Sequence, residues 1–437
     1  MGSTSESAGR QGSTEQAPER IEVEIGPVAH GGRCVARHEG QVIFVRHALP
    51  GERVIAEITG SGPAGRYLWA DAVEVLRRVE GRRVAPCPVA AACGGCDWQH
   101  ATPATARALK TAVVREALAR FARVELPEEF EVRELLGESD VFSDGLGWRT
   151  RGVLAVDDRG RAGFRAPRSH DVVVGGGCPQ LDPRLAPLDL FQRRWPAGRA
   201  VRFVAPARGE PLARATSPGS VEAGRTKRPG PRARPTAEST VIEETAAGRT
   251  FQVAWDGFWQ VHPGAADALV DCVRTLLDPQ PGEQLVDLYS GVGLLGVSLA
   301  AACFGLQVRM VEGIARACEL ARENAAGLDV QVVRADVRDW LRRPGTLGRP
   351  ELVVLDPPRT GAGADVVRAI TAAEPRAIAY VACDPVALAR DVATFAVDGY
   401  VLAELVGLDL FPTTHHVECI ALLVPGQAPF GRGADLG

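Results

Sequence analysis

The second half of the chain alternates two kinds of segment. From Phe251 onward, apolar strand-like runs recur at QLVDLYS, QVRMVEG, VQVVRAD, ELVVLDPP, AIAYVACD, YVLAELVGL and VECIALLV. Helical runs such as ARACELARENAA and DPVALARDVATF lie between several of them. Parallel strands need a crossover long enough to hold a helix, so this alternation restricts residues 251–437 to an open, doubly wound, Rossmann-like α/β domain. Ligands of such sheets bind beyond the carboxyl ends of the strands. The residues that end each strand are therefore the ones to read for chemistry.

The first strand runs into DLYSGVGLLG, where Gly291, Gly293 and Gly296 form a G-x-G-x-x-G pattern. Glycines there let the backbone approach a ligand and let the next helix pack closely. Glu312, ending VRMVE one strand on, can accept hydrogen bonds from both hydroxyls of a ribose. The pattern fits a nicotinamide dinucleotide or S-adenosylmethionine. LDPPR is more selective, because Asp356 is followed by two prolines that cannot continue a helix and that stiffen the loop. Asp-Pro-Pro at such a strand end is similar to that of methyltransferases acting on nucleobases and polar side chains, and a dehydrogenase has no need of it. The next strand ends in ACDP, which puts Cys383 on the same rim. HHVECIALL opens an apolar strand with Glu418, a costly place for a carboxylate unless it is paired or functional. Glu418 is expected as a catalytic base, with a structural ion pair as the other reading. His415 and His416 are expected at the rim, against phosphate or base. Cys272, Cys303, Cys318 and Cys419 fall in contexts where cysteine simply packs.

Upstream the pattern changes. Residues 20–80 hold five short β-rich runs separated by Gly and Pro, the sign of a small OB-like barrel. Residues 1–19 are polar and read as a disordered tail, not a signal peptide. Residues 81–250 form a less regular central domain, interrupted at about 205–240 by a basic insertion. Its segment from Ser217 to Thr240 is rich in Pro, Gly, Arg and Ser. From Arg193 to Arg234 there are eleven Arg or Lys against two Glu. That run is either a solvated loop or an arm that gains RNA affinity by releasing counterions. The net charge of −4 argues against a uniformly basic coat. Nothing approaches the roughly 18 apolar residues of a membrane span, so the expected location is the cytoplasm, where disulfides are rare. Ten cysteines there call for metal binding, catalysis or burial. Three of them, Cys87, Cys93 and Cys96, cluster as C-x5-C-x2-C in CPVAAACGGCDWQH.

In this order along the chain, FWQVH (Phe258–His262), DLYSGVG, LDPPR, ACDP and HHVECIALL resemble the motifs of the RNA uracil-5-methyltransferase family. The N-terminal barrel resembles the TRAM domain of its bacterial 23S ribosomal RNA members. The likeness runs from residue 20 to about 425, broken mainly by the basic insertion. It implies an S-adenosylmethionine-dependent enzyme, a monomer, that forms 5-methyluridine in RNA, with ribosomal favoured over transfer RNA. In the iron–sulfur members, a C-x5-C-x2-C set and a later cysteine hold a [4Fe–4S] cluster. Here that implies Cys87, Cys93, Cys96 and Cys178 and makes 81–250 an iron–sulfur domain. On softness alone, four thiolates suit zinc as well. Gly94 and Gly95 favour a tight loop whose amides can point at sulfur. Cys34, in the barrel, stands outside the set.

The resemblance also implies a mechanism. Uracil C5 is a poor nucleophile, and a thiolate adding to C6 turns the ring into an enolate that can attack a methyl sulfonium. Cys383 is implied as the nucleophile and Glu418 as the base that removes the C5 proton. Gln260, Tyr289, Gly291, Gly293, Glu312, Asp336 and Asp356 are implied around the cofactor, and the target base must leave its stack. Two positions depart from the family. Relatives commonly have Asn where Asp384 stands, and some have Asn where Leu294 stands. A carboxylate beside Cys383 is expected to raise the thiol pKa unless it turns away, is neutralised by a neighbour such as Arg359, or stays protonated. The competing reading is a catalytically decayed RNA-binding protein, and the presence of both Cys383 and Glu418 speaks against it.

Overall fold

The computed structural model describes residues 18–135, 144–217, 240–343 and 345–426. Most of the expected tail and all but the ends of Ser217–Thr240 lie outside them. Two compact units are present: one up to Ala29 and over Arg33–Glu80, the other of His30–Gly32 with the chain from Gly81. Among the described residues, no helix is long and apolar enough to cross a membrane.

The first unit is built from β1 (Arg20–Glu24), β2 (Cys34–His38), β3 (Gln41–Arg46), β4 (Arg53–Ser61) and β5 (Tyr67–Arg77). They form one sheet in the order β1-β4-β5-β3-β2, antiparallel except for the parallel β3–β5 pair. Alternate residues fill its core, with Ile43, Val45, Val54, Ala56 and Ala70 fully buried. The β4–β5 register shifts at three places, which bends the pair. After β1 the chain meets β2 through Gly26 N to Val35 O at 2.7 Å and Val35 N to Pro27 O at 2.8 Å. The five expected strands are thus present as a bent sheet with β1 and β2 at its edges, rather than as a barrel closed by strand pairing.

The second unit begins with α1 (Pro103–Ala117), capped by Thr102 with Pro103 at its first turn. The short β6 (Val132–Glu134) follows. An antiparallel sheet comes next: β7 (Arg151–Val156), β8 (Ala162–Arg165), β9 (Val172–Val173), β10 (Ala200–Val204) and β11 (Leu212–Thr216). Leu154, Val201, Phe203 and Trp195 are buried together on it. The hairpin of β12 (Val241–Ala246) and β13 (Arg249–Ala254) leads to α2 (Ala265–Leu277).

The large sheet carries the chemistry. It comprises β14 (Gln284–Leu288), β15 (Gln307–Glu312), β16 (Val330–Arg334), β17 (Leu352–Leu355), β18 (Ala377–Ala382), β19 (Tyr400–Asp409) and β20 (Glu418–Pro425). Between them lie α3 (Leu294–Ala302), α4 (Ala315–Asn324), α5 (Val337–Leu341), α6 (Ala364–Thr371) and α7 (Pro385–Val397). The order is β16-β15-β14-β17-β18-β20-β19-β6, so all seven expected strands are present and β6 joins them at the edge. Strands β14 to β18 are parallel, whereas β20 runs antiparallel to both its neighbours. In β17, Leu352 and Val354 enter the core that includes α2, while Val353 and Leu355 enter the one that includes α6 and α7. Both faces are covered, which is why the central strands read as unbroken apolar runs. The order reverses on either side of β14, the place where such sheets bind ligands.

Candidate active site

Register brings the strand ends together. Leu288 lies opposite Val311 of β15 and Leu355 of β17, so Tyr289, Glu312 and Asp356 leave the sheet side by side. Ala382 lies opposite Cys419 of the antiparallel β20, which makes Cys383 and Glu418 neighbours on the same rim. These groups do not include Gln260, which is buried on the segment after β13. Asp336 caps α5 by accepting from Asp339 N at 3.0 Å. The Tyr289 hydroxyl is pushed up to about 12, chiefly by burial, with the Asp336 charge adding to it.

Local chemistry shapes the glycine loop. Gly293 has φ +95°, and a Cβ on it would fall 2.7 Å from Val297. A Cβ on Gly296 would fall 2.8 Å from the Met310 sulfur and 2.9 Å from Asp287 Oδ2. That Asp287 oxygen accepts from Gly296 N at 2.9 Å, and full burial lifts its pKa to about 8. Asp287 supports the glycine loop and was passed over in the motif reading, although a carboxylate inside an apolar strand was visible there. Glu312 accepts from Gly291 N at 3.0 Å and from Ile314 N at 2.6 Å, so it ties the glycine loop to the next strand's turn.

Charge at the rim is concentrated and poorly solvated. Burial raises Asp356 to about 7. Burial first, and the Asp356 charge second, lift Glu418 well above the ordinary carboxylate range, with Arg359 opposing them. Burial, then Glu418 and Asp356, push the Cys383 thiol up to about 12. Asp384 adds the least of the causes acting on Cys383, and geometry explains why. Its Oδ1 accepts from Val386 N at 3.0 Å and Ala387 N at 2.9 Å, capping α7, while Oδ2 lies 3.0 Å from His30 Nε2. Burial works to raise Asp384, but the His30 hydrogen bond and the helix amides outweigh it and hold it low. Of the escapes expected for this carboxylate, it takes two, turning away and pairing, and the partner is His30 instead of Arg359. Arg359 Nη2 lies 3.4 Å from His416 Nε2. Burial, with the charges of His415 and Arg359, lowers His416 to about 3 and keeps its ring neutral.

Cys87, Cys93, Cys96 and Cys178 line one pocket together with Arg149 and Phe164. Gly95 N donates to Cys93 Sγ at 3.4 Å, and Gln99 Nε2 to Cys96 Sγ at 3.3 Å. Gln99 Oε1 in turn accepts from Cys87 N at 3.2 Å. Burial raises the thiols of Cys93 and Cys96, and that of Cys178 to about 12. Among the described residues, no three His, Cys, Asp or Glu groups converge on one metal-ion position. All ten cysteines are free, and Cys34, Cys318 and Cys419 are buried.

Three family models match the chain: TRAM domain over residues 18–73, methyltransferase small domain over 264–379, and tRNA (uracil-5-)-methyltransferase over 348–425. An uncharacterized RNA methyltransferase of Streptomyces avermitilis is 43% identical over 435 residues, covering 93% of this chain and 98% of that protein. Another, from Corynebacterium efficiens, is 35% identical over 93% of this chain and 95% of its own. Among solved structures, the Pyrococcus abyssi tRNA (uracil-54, C5)-methyltransferase in complex with S-adenosyl-L-homocysteine has the same fold. Its TM-score is 0.65 at 22% identity, over 92% of this chain and 99% of that one.

Proposed function

This chain belongs to the RNA uracil-5-methyltransferase family, and we propose that it methylates C5 of a uridine through a covalent bond between Cys383 and C6. What carries the reading is the pairing of β18 with β20, which sets Cys383 and Glu418 side by side in reach of the Asp356 charge. S-adenosylmethionine supplies an electrophilic methyl group and a sulfonium positive charge. The glycine loop fits it: at Gly291 nothing lies within 4 Å of where a Cβ would stand, so the backbone is open to a ligand. Each Glu312 oxygen accepts one backbone amide and keeps a lone pair for a ribose hydroxyl. Gln260, Tyr289, Asp336 and Asp356 complete the set by family likeness.

In the reaction, the Cys383 thiolate adds to C6 and the displaced electron pair passes to O4 as an enolate. C5, carrying the enolate's electron pair, would then take the methyl group of S-adenosylmethionine as the methyl–sulfur bond breaks, that bond's pair staying on sulfur and S-adenosylhomocysteine leaving. The Glu418 carboxylate takes the C5 proton, the electrons of that bond restore C5=C6, and the thiolate leaves. Burial beside Asp356 suits Glu418 to this step, since a raised pKa makes the carboxylate a stronger base.

We infer that the cysteine pocket is an iron–sulfur site, a reading supported by its lining of four thiols and by two sulfurs that already accept N–H bonds, although among the described residues no three such groups converge on one metal-ion position. Bound there, a [4Fe–4S] cluster would bring the cationic irons that hold such thiols deprotonated. On softness alone, four thiolates suit zinc as the other occupant. A TRAM unit together with such a pocket favours ribosomal RNA in the cytoplasm as substrate. The Pyrococcus enzyme, whose name gives a tRNA uracil, supports transfer RNA as the second reading. Mass spectrometry of both RNA pools from a deletion strain tells them apart.

Glu418→Gln tests the mechanism. Addition and methyl transfer do not need the base, whereas elimination does. The variant is expected to accumulate a methylated RNA–protein adduct that survives denaturing gels and is absent when Cys383 is also replaced by Ala. Normal turnover by Glu418→Gln, or an adduct without Cys383, refutes the assigned roles.

A further inference from the structure

The segment between β19 and β20 ends on Glu418 and is fastened at two places. The first lies near β19: the buried Lys110 ammonium donates to Asp409 Oδ1 at 2.5 Å and Phe411 O at 3.0 Å. The second is the wall of the cysteine pocket. Asp97 N and Trp98 N donate to Thr413 O at 3.1 and 2.8 Å, and Gln180 Nε2 donates to Thr413 Oγ1 at 2.9 Å. The Asp97 carboxylate then takes two bonds through one oxygen. Its Oδ2 accepts from His415 N at 3.0 Å and lies 2.7 Å from His415 Nδ1. Beyond His415 the contacts lead to the rim. Its ring centroid is 4.1 Å from that of His416, and His416 faces Arg359.

We propose that Asp97 is a positioning residue for methylation: it clamps the backbone and ring of His415, and so holds His416 against Arg359 and Glu418 beside Cys383. The pocket wall then sets the geometry of the chemical site. Asp97 adjoins Cys96, and Gln180 stands two residues from Cys178, so the clamp is part of the same loops that present the thiols. Thr413–Val417 has no strand or helix of its own to hold it, which is why a side-chain clamp is needed there. The inference rests on the roles proposed for Cys383 and Glu418, but its first readout does not.

The test compares Asp97→Ala with Asp97→Asn in the full-length protein as purified. An Asn side-chain oxygen can still accept both His415 bonds, whereas Ala can accept neither. In Asp97→Ala, backbone amides of 411–418 are expected to exchange with deuterium about tenfold faster, with metal content per chain unchanged. Because misplacing a catalytic group by an ångström costs up to about a hundredfold, kcat should fall by roughly 10- to 100-fold while KM for S-adenosylmethionine holds. Asp97→Asn should restore both quantities. His415→Ala, which keeps its backbone N–H bond to Asp97, should show part of both effects, and the double variant should be no worse than Asp97→Ala. Unchanged exchange in Asp97→Ala overturns the proposal, as does faster exchange that appears only together with loss of metal. A wild-type protein that forms no 5-methyluridine instead refutes the reading of the rim, while the exchange measurement still decides the clamp.

Discussion

The Cys383 thiol offers a quantitative check on the rim. Its pKa, pushed up to about 12, makes it far less reactive at rest than an ordinary cysteine. At pH 7.5 a thiol of pKa about 8.5 is roughly one-tenth thiolate, and one of about 12 is roughly 3 parts in 100,000, a ratio near 3,000. The more basic thiolate is the better nucleophile, and a Brønsted slope of about 0.45 returns roughly 40-fold, leaving alkylation about 80-fold slower. Glu418 is the largest cause after burial, so Glu418→Gln should lower the thiol pKa while keeping the side chain's shape. Each unit of that fall is worth about tenfold in thiolate and a net factor of about 3.5 in rate at fixed pH. The assay is iodoacetamide labelling from pH 7 to 10, with the Cys383 peptide quantified by mass spectrometry. The wild-type rate should climb across the whole range without levelling. The variant should label faster while its turnover collapses, because the group whose charge raises the thiol is also the base proposed for elimination. A wild-type plateau near pH 8.5, or slower labelling of Glu418→Gln, refutes the electrostatic account.

Four further outcomes are expected. Lys110→Ala strands the buried Asp409 charge and should cost about 3–5 kcal/mol in urea unfolding. Cys93→Ser should bleach an anaerobically purified brown protein and remove most of its roughly four irons per chain, whereas a colourless wild type with stoichiometric zinc excludes the cluster. His30 is raised above 6.5 by its Asp384 hydrogen bond, so its contribution is full below that value and fades as pH rises through the folded pKa. Asp384 is held below 3.8, and its contribution is lost as pH falls through its folded pKa. The stability gap between wild type and His30→Ala should therefore be widest between about pH 4 and 6.5 and narrow in alkaline buffer, as pH-stepped thermal melts can show. Deleting Ser217–Thr240 should flatten the salt dependence of RNA binding if that run is an arm.

The large sheet was legible because both faces of its strands are covered. Val353, Val354 and Leu355 form one apolar word, and the polar residue after it must stand at the rim. The same logic reached Glu312, the last residue of its strand, and Tyr289, Asp356 and Cys383, each one step past a strand that pairs in register with its neighbour. Glu418 was legible for the opposite reason, as the polar start of an antiparallel strand. The clamp was not, since Asp97 and His415 are 318 residues apart and neither breaks a local pattern. Barrel closure was not legible either, because strand count and spacing do not say whether the first and last strands pair. Asp384 is the instructive case. Its place beside Cys383 suggested a charge that would silence the thiol, yet the residue that starts a helix is under pressure to face the helix amides. Val386 N and Ala387 N take one oxygen, His30 takes the other, and Glu418 and Asp356 outweigh Asp384 in raising the thiol. Sequence adjacency overstated that repulsion because a capping carboxylate is aimed by the backbone donors ahead of it and not by the side chain before it.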